Sequence, residues 1–217
     1  RSGRIIGEGW HGVYGGPHAE RVALEDVADA RGSTVYVNLE PCAHHGKTPP
    51  CADLLIERGV SRVVVGMLDP NPKVAGRGVE RLRQAGVTVD VGILETQCRA
   101  LNEAFAWHIT RQTPWAVLKT AMTLDGRITG PHGQTCRITS AASIRQVHRM
   151  RHGIDAVMTG IGTVLADDPR LTCRMDGGVH PHRIIVDSSL RIPETAKVLD
   201  QQTGVRVIVV TAQAGSR

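Results

Sequence analysis

Between residues 18 and 93 the apolar positions follow two alternating spacings. The runs STVYVNL (33–39), SRVVVGM (61–67) and VTVDVGI (87–93) are rich in β-branched residues and read as strands. ADLLIERG (52–59), GVERLRQAG (78–86) and HAERVALEDVADARG (18–32) repeat apolar residues at helical intervals. Each of the three closes on a glycine suited to the left-handed position after a helix. Strand–helix alternation with short loops predicts an α/β unit whose sheet is mostly parallel and covered by helices.

The pattern changes after LNEAFAWHITRQTP (101–114). Pro114 opens an expected strand, WAVLKTAM (115–122), which runs into the turn LDGRI (124–128). A helix is expected over SAASIRQVHRMRHG (140–153), followed by strands DAVMTG (155–160), HRIIVDS (182–188) and VRVIVVTA (205–212). This is a second α/β unit, so the expected domains are residues 1–112 and 113–217. The chain lacks an initiating methionine, starts on what reads as the tail of a strand and stops just after another. Truncation is therefore expected at both ends.

Composition sharpens the class. The chain has 217 residues, 41% hydrophobic and 22% charged, with no apolar run long enough to span a bilayer and no signal peptide, so a cytoplasmic enzyme without a membrane partner is expected. Five cysteines without secretory features argue against a disulfide framework. Cys98, Cys136 and Cys173 stand apart and read as ordinary thiols. The net charge of +5 lies entirely in the second half: residues 1–112 carry 13 basic and 13 acidic side chains, residues 113–217 carry 13 and 8. That excess suits phosphorylated small molecules. Nucleic acid is a poorer match, because the basic residues are scattered and six aromatics offer little stacking surface. A zinc-stabilised nucleic-acid module stays the rival from another class, and it predicts salt-dependent binding.

The segment PCAHHGKTPPC (41–51) places Cys42 and Cys51 around eight residues that include two histidines and two prolines. Two thiolates need a third ligand for zinc, and PHAE (17–20) offers His18 at a helix start, with Glu20 two residues on. Helix N-termini favour the negative charge of thiolates. The expected set is His18, Cys42 and Cys51 as ligands, an open fourth position for water, and Glu20 as the catalytic proton shuttle. A His-x-Glu or a lone cysteine pair is a common accident. The ordered series His-x-Glu, Pro-Cys, Cys is the general signature of zinc nucleobase deaminases.

Cytidine and nucleic-acid deaminases usually separate their cysteines by two residues, and here eight intervene. LEPCAHHGKTPPC (39–51) and GVSRVVVGMLDPNPKVAGRG (59–78) closely resemble the bifunctional riboflavin-biosynthesis deaminase–reductase family. The likeness continues through GEGWH, PHAE, LN (101–102), LKTAMTLDGRI and TVLADDPRLTCR (163–174). It implies a cytidine-deaminase-like three-layer domain followed by a partial dihydrofolate-reductase-like α/β domain. It also implies zinc (Zn2+) and NADPH as cofactors, and deamination then ribosyl reduction of a phosphorylated ribosylaminopyrimidine. On this resemblance His44, Lys47 and Thr48 contact substrate, as do Asp69 and Asn71 in DPNP, which otherwise reads as a self-stabilised turn.

For the second half the resemblance places NADPH on Ala121, Arg137, Thr139, Thr163, Asp167 and Ser188, and substrate on Thr135, Arg151, Leu171 and Arg174. Arg151 and Arg174 make chemical sense as phosphate holders. Arg145 and Arg149 read as a solvated face. The glycines of GIG (160–162) form only part of a dinucleotide fingerprint, with Leu165 where its third glycine would stand, and are expected to form a tight turn. Arg137 stands where the family often has Trp, so a deaminase with a degenerate reductase half is the rival within the enzyme class. The sequence leaves the oligomeric state open, a homo-oligomer included.

Overall fold

A computed structural model describes residues 3–44, 49–72, 74–130, 136–200 and 204–212. They fall into two compact units, Arg1–Val117 and Leu118–Arg217.

The first unit is built on three parallel strands in the order β1 (Thr34–Leu39), β2 (Arg62–Met67), β3 (Thr88–Val91). Thr34 pairs with Arg62 and Leu39 with Met67, so β1 and β2 run in register over their whole length. Parallel strands need crossovers, and helices supply them. Helix α1 (Ala19–Leu24) precedes β1, α2 (Cys51–Glu57) joins β1 to β2, and α3 (Arg77–Gln84) joins β2 to β3. The core on this face gathers Leu24, Leu55, Val63, Val65 and Leu82. The opposite face of β2 meets α4 (Glu95–Leu101): a Cβ on Gly66 would run into the Cys98 sulfur. The sheet is thus a middle layer between helices, and α5 (Glu103–Arg111) continues from α4.

The expected helix over 18–32 is cut short. It ends at Leu24, and further on the Asp29 carboxylate accepts the Arg31 amide at 3.0 Å, a local turn in place of helical hydrogen bonding.

The second unit has its own parallel sheet, β4 (Ala156–Gly160), β5 (His182–Val186), β6 (Val207–Val210), again in chain order. Helix α6 (Ala141–His152) is capped by the Ser140 hydroxyl, which accepts the Ser143 amide at 3.2 Å. Helix α7 (Ile161–Asp167) leaves β4 with no intervening loop. Ile161, Val164, Leu171, Ile185 and Val198 form this unit's core.

The strand expected over 115–122 does not form: residues 114–123 have no regular structure, and Val117 and Leu118 are exposed. β-Branched composition makes a strand only where a neighbour supplies the ladder, and none does so among the described residues. Trp115 instead packs edge-on against Trp107, at 5.1 Å between ring centroids.

Candidate metal centre and neighbouring binding residues

Three chain segments end at one place. His18 is the residue before α1, held extended (φ −72°, ψ 160°) after Pro17. Cys51 is the first residue of α2, set by Pro50 at φ −56°. Cys42 stands three residues beyond β1 and is tied to α2 twice: its carbonyl accepts the Ala52 amide at 3.1 Å, and its sulfur accepts the Cys51 amide at 3.3 Å. Prolines before a helix's first turn fix φ without sacrificing a needed donor, so His18 and Cys51 arrive preset.

The His18 Nδ1 lies 3.6 Å from the Cys42 sulfur and 3.3 Å from the Cys51 sulfur, and the three candidate ligand atoms are all within 4.8 Å of one another. Tetrahedral zinc, with Zn–S of about 2.3 Å and Zn–N of about 2.0 Å, holds sulfur and nitrogen about 3.5 Å apart. The separations fit. Behind His18, the His11 ring stands edge-on at 5.5 Å between centroids, while its Nδ1–H donates to the Pro17 carbonyl at 3.0 Å.

The electrostatics agree with the geometry. A hydrogen bond from the Cys51 thiol, helped by the Cys51 amide and His18, pulls the Cys42 pKa down to about 5. Cys51 is pushed up, because it donates to Cys42, is buried and faces the Glu20 charge. Burial raises the Glu20 carboxyl, against the lowering effects of its backbone bond and its bond to Cys51. One thiol proton thus separates a thiolate from a carboxyl group, where a divalent cation would satisfy both sulfurs and the imidazole together.

Asp69 joins this cluster. It is buried at the C-terminal end of β2, its carboxylate accepts the Asn71 amide at 2.8 Å, and burial first, then Glu40 and Cys42, raise its pKa. His44 is near enough to oppose that shift. His18, Glu20, Cys42, His44, Cys51, Asp69 and Asn71 therefore share one end of the sheet. Lys47 and Thr48 lie outside the described residues.

Sequence reasoning gave no role to Glu40. Its carboxylate is buried and accepts four amides: Asp69 at 3.1 Å and Gly76 at 2.8 Å on one oxygen, Gly78 at 2.8 Å and Val79 at 3.1 Å on the other. An acidic residue at a strand end beside Pro-Cys was the available signal.

In the second unit, Arg151 on α6 donates to the Thr172 carbonyl at 3.0 Å, and the Arg174 amide donates to His148 Nδ1 at 3.2 Å. Burial first, then the Arg174 charge, lowers the Arg151 pKa. Neither is in an ion pair among the described residues. Arg137 donates to the Thr139 carbonyl at 3.2 Å. Thr163 and Asp167 are exposed on α7, four residues apart, and Ser188 is exposed just beyond β5. Ala121 is half-buried in the irregular segment, and Thr135 lies outside the described residues. Leu171 has its side chain in the core at φ +53°. The GIG segment is a strand-to-helix junction, with Gly160 capping α7 and Gly162 inside it.

An imidazole before one helix, a thiol at the start of another and a thiol just beyond a strand, at one end of a parallel sheet, form a group that could hold a metal ion. Residues 1–67 match the cytidine and deoxycytidylate deaminase zinc-binding region, and residues 114–217 match the RibD C-terminal domain. Over almost its whole length the chain resembles the riboflavin biosynthesis protein RibD. It is 46% identical to that protein from Actinobacillus pleuropneumoniae, over 97% of this chain and 56% of the relative. It is also similar to the solved diaminohydroxyphosphoribosylaminopyrimidine deaminase/5-amino-6-(5-phosphoribosylamino)uracil reductase of Thermotoga maritima. That likeness has a TM-score of 0.90 and 46% identity, covering 99% of this chain and 62% of the other. Acinetobacter baumannii RibD follows with a TM-score of 0.84 and 42% identity, over 97% and 60%. The chain thus spans less than two thirds of the length of these relatives. Among the described residues no helix is long and apolar enough to cross a membrane.

Proposed function

We propose that the first unit is a zinc-dependent hydrolytic deaminase acting on a phosphorylated ribosylaminopyrimidine in riboflavin biosynthesis. In the same reading the second unit belongs to an NADPH-dependent reductase that converts the ribosyl group to ribityl. The observation that carries the first part is the meeting of His18 Nδ1 with the Cys42 and Cys51 sulfurs, with the Glu20 carboxyl hydrogen-bonded to Cys51.

His18, Cys42 and Cys51 would hold zinc. Bound there, zinc supplies a Lewis acid that brings the pKa of water to about 7. Glu20 accepts the proton that the attacking water gives up and delivers it to the departing amine. Asp69 and Asn71 orient the pyrimidine, and His44, Lys47 and Thr48 hold the rest of the substrate. In the second unit Arg151 and Arg174 clamp the phosphate, since guanidiniums that are in no ion pair among the described residues suit an anion. Ala121, Arg137, Thr139, Thr163, Asp167 and Ser188 line the NADPH side. A substrate contact at Leu171 would run through its main chain, because its side chain is in the core.

Metal analysis of the purified chain, with ammonia release and NADPH oxidation assayed separately on the pyrimidine substrate, tests both parts. About one zinc per chain with ammonia release supports the deaminase; neither metal nor ammonia overturns it. Ammonia release without NADPH oxidation selects the reading in which the reductase half is inactive, which Arg137 favours.

A further inference from the structure

We infer that Glu40 is the positioning residue that fastens the Asp69–Asn71 loop against the metal centre; this rests on the deaminase reading of that centre. Glu40 follows β1 directly and precedes Cys42 by two residues. Its own amide donates to the Met67 carbonyl at 3.0 Å, so its main chain continues the β1–β2 pairing. From there the side chain crosses to the segment between β2 and α3 and accepts the amides of Asp69, Gly76, Gly78 and Val79.

Three of those donors lie at the start of α3, whose own N-cap residue, Gly76, brings no capping side chain. Glu40 therefore caps α3 from another element. The fourth donor is the amide of Asp69, so the same carboxylate that closes the helix also fixes the residue facing the metal cluster. A carboxylate suits this role because both oxygens accept and none donates. Glutamine would turn an NH2 group toward two amide donors, leaving them without an acceptor and the loop displaced.

Two measurements on the full chain test this. In the wild-type protein, the amides of Asp69, Gly76, Gly78 and Val79 exchange hydrogen slowly, unlike Thr96 and Gln97 in the first turn of α4, which has no side-chain cap. Exchange at the α4 rate overturns the clamp, and this readout needs neither activity nor a variant that folds. In zinc-loaded Glu40→Gln, zinc content stays at the wild-type level while KM for the pyrimidine rises by about 10- to 100-fold, with a smaller change in kcat. A variant with lowered melting temperature but unchanged KM shows that Glu40 caps α3 and nothing more, and overturns the positioning role. Slow exchange in a wild-type chain that releases no ammonia supports the clamp and overturns the deaminase reading instead.

Discussion

Gly78 and Glu40 meet amide to carboxylate at 2.8 Å, and the contact is open only because position 78 has no side chain. A Cβ there would stand on the Pro41 carbonyl oxygen, far inside van der Waals contact. The residue that receives the clamp and the residue that leads into Cys42 are thus packed backbone to backbone.

Gly78→Ala is accordingly expected to push the start of α3 away from Pro41. Overpacking of this kind costs about 1–3 kcal/mol. Denaturant unfolding of the first unit should show that loss, whereas Gly76→Ala tests a different constraint, its φ of +84°. An alanine at 78 that unfolds at the wild-type midpoint would show that the Pro41 contact relaxes without cost.

Glu20→Gln should retain zinc, because Glu20 is not among the three ligand atoms, and should lose deamination by about 100-fold or more. Zinc content and ammonia release measured on the same preparation check it. A variant that deaminates normally removes Glu20 from proton transfer.

Cys51→Ala should weaken zinc binding by at least about 100-fold and lower the melting temperature of the first unit, since metal affinity is folding free energy where the ligands come from separate elements. Chelation of the wild-type chain should lower the melting temperature in the same direction, and added zinc should restore it in the wild type alone. A melting temperature indifferent to chelator contradicts the site.

His148 gives a pH test in the second unit. Burial first, then Arg174 and Arg151, hold its pKa below the ordinary value, so the native state favours neutral imidazole. Between the folded and unfolded pKa values the unfolded chain binds more protons, and stability rises with pH. The contribution is fully present above about pH 6.5, the unfolded value, and is lost as the pH falls through it toward the lower folded value. His148→Gln keeps an acceptor for the Arg174 amide and cannot titrate. The stability difference of this unit between about pH 7.5 and about pH 5 should shrink in the variant; an unchanged difference assigns the pH response to other groups.

The meeting of His18, Cys42 and Cys51 was legible because each is a chemically distinctive residue in a short loop or at a helix start, with prolines fixing the geometry locally. The parallel sheets were legible from β-branched runs separated by helical ones. Glu40 was not, because its partners are main-chain amides 29 to 39 residues away, and an amide carries no side-chain signature. The run 115–122 misled for the converse reason: its composition suits a strand, but strand formation depends on a neighbour that the local sequence does not contain. Helix α7 was hidden behind GIG, where two glycines suggested a loop and the strand simply turns into a helix. The long helix expected over 18–32 stops at Leu24, and Asp29 beyond it forms a local turn with the Arg31 amide instead.

The spacing of the Glu40 contacts has a consequence during synthesis. A ribosome makes residues 18, 42 and 51 well before residues 69 to 79, so an emerging chain can gather all three metal ligands while the four amides that saturate Glu40 do not yet exist. Until they do, that carboxylate must stay hydrated at the tip of β1. Its withdrawal from water, and with it the seating of the Asp69 amide and of the first turn of α3, must wait until those residues have been made.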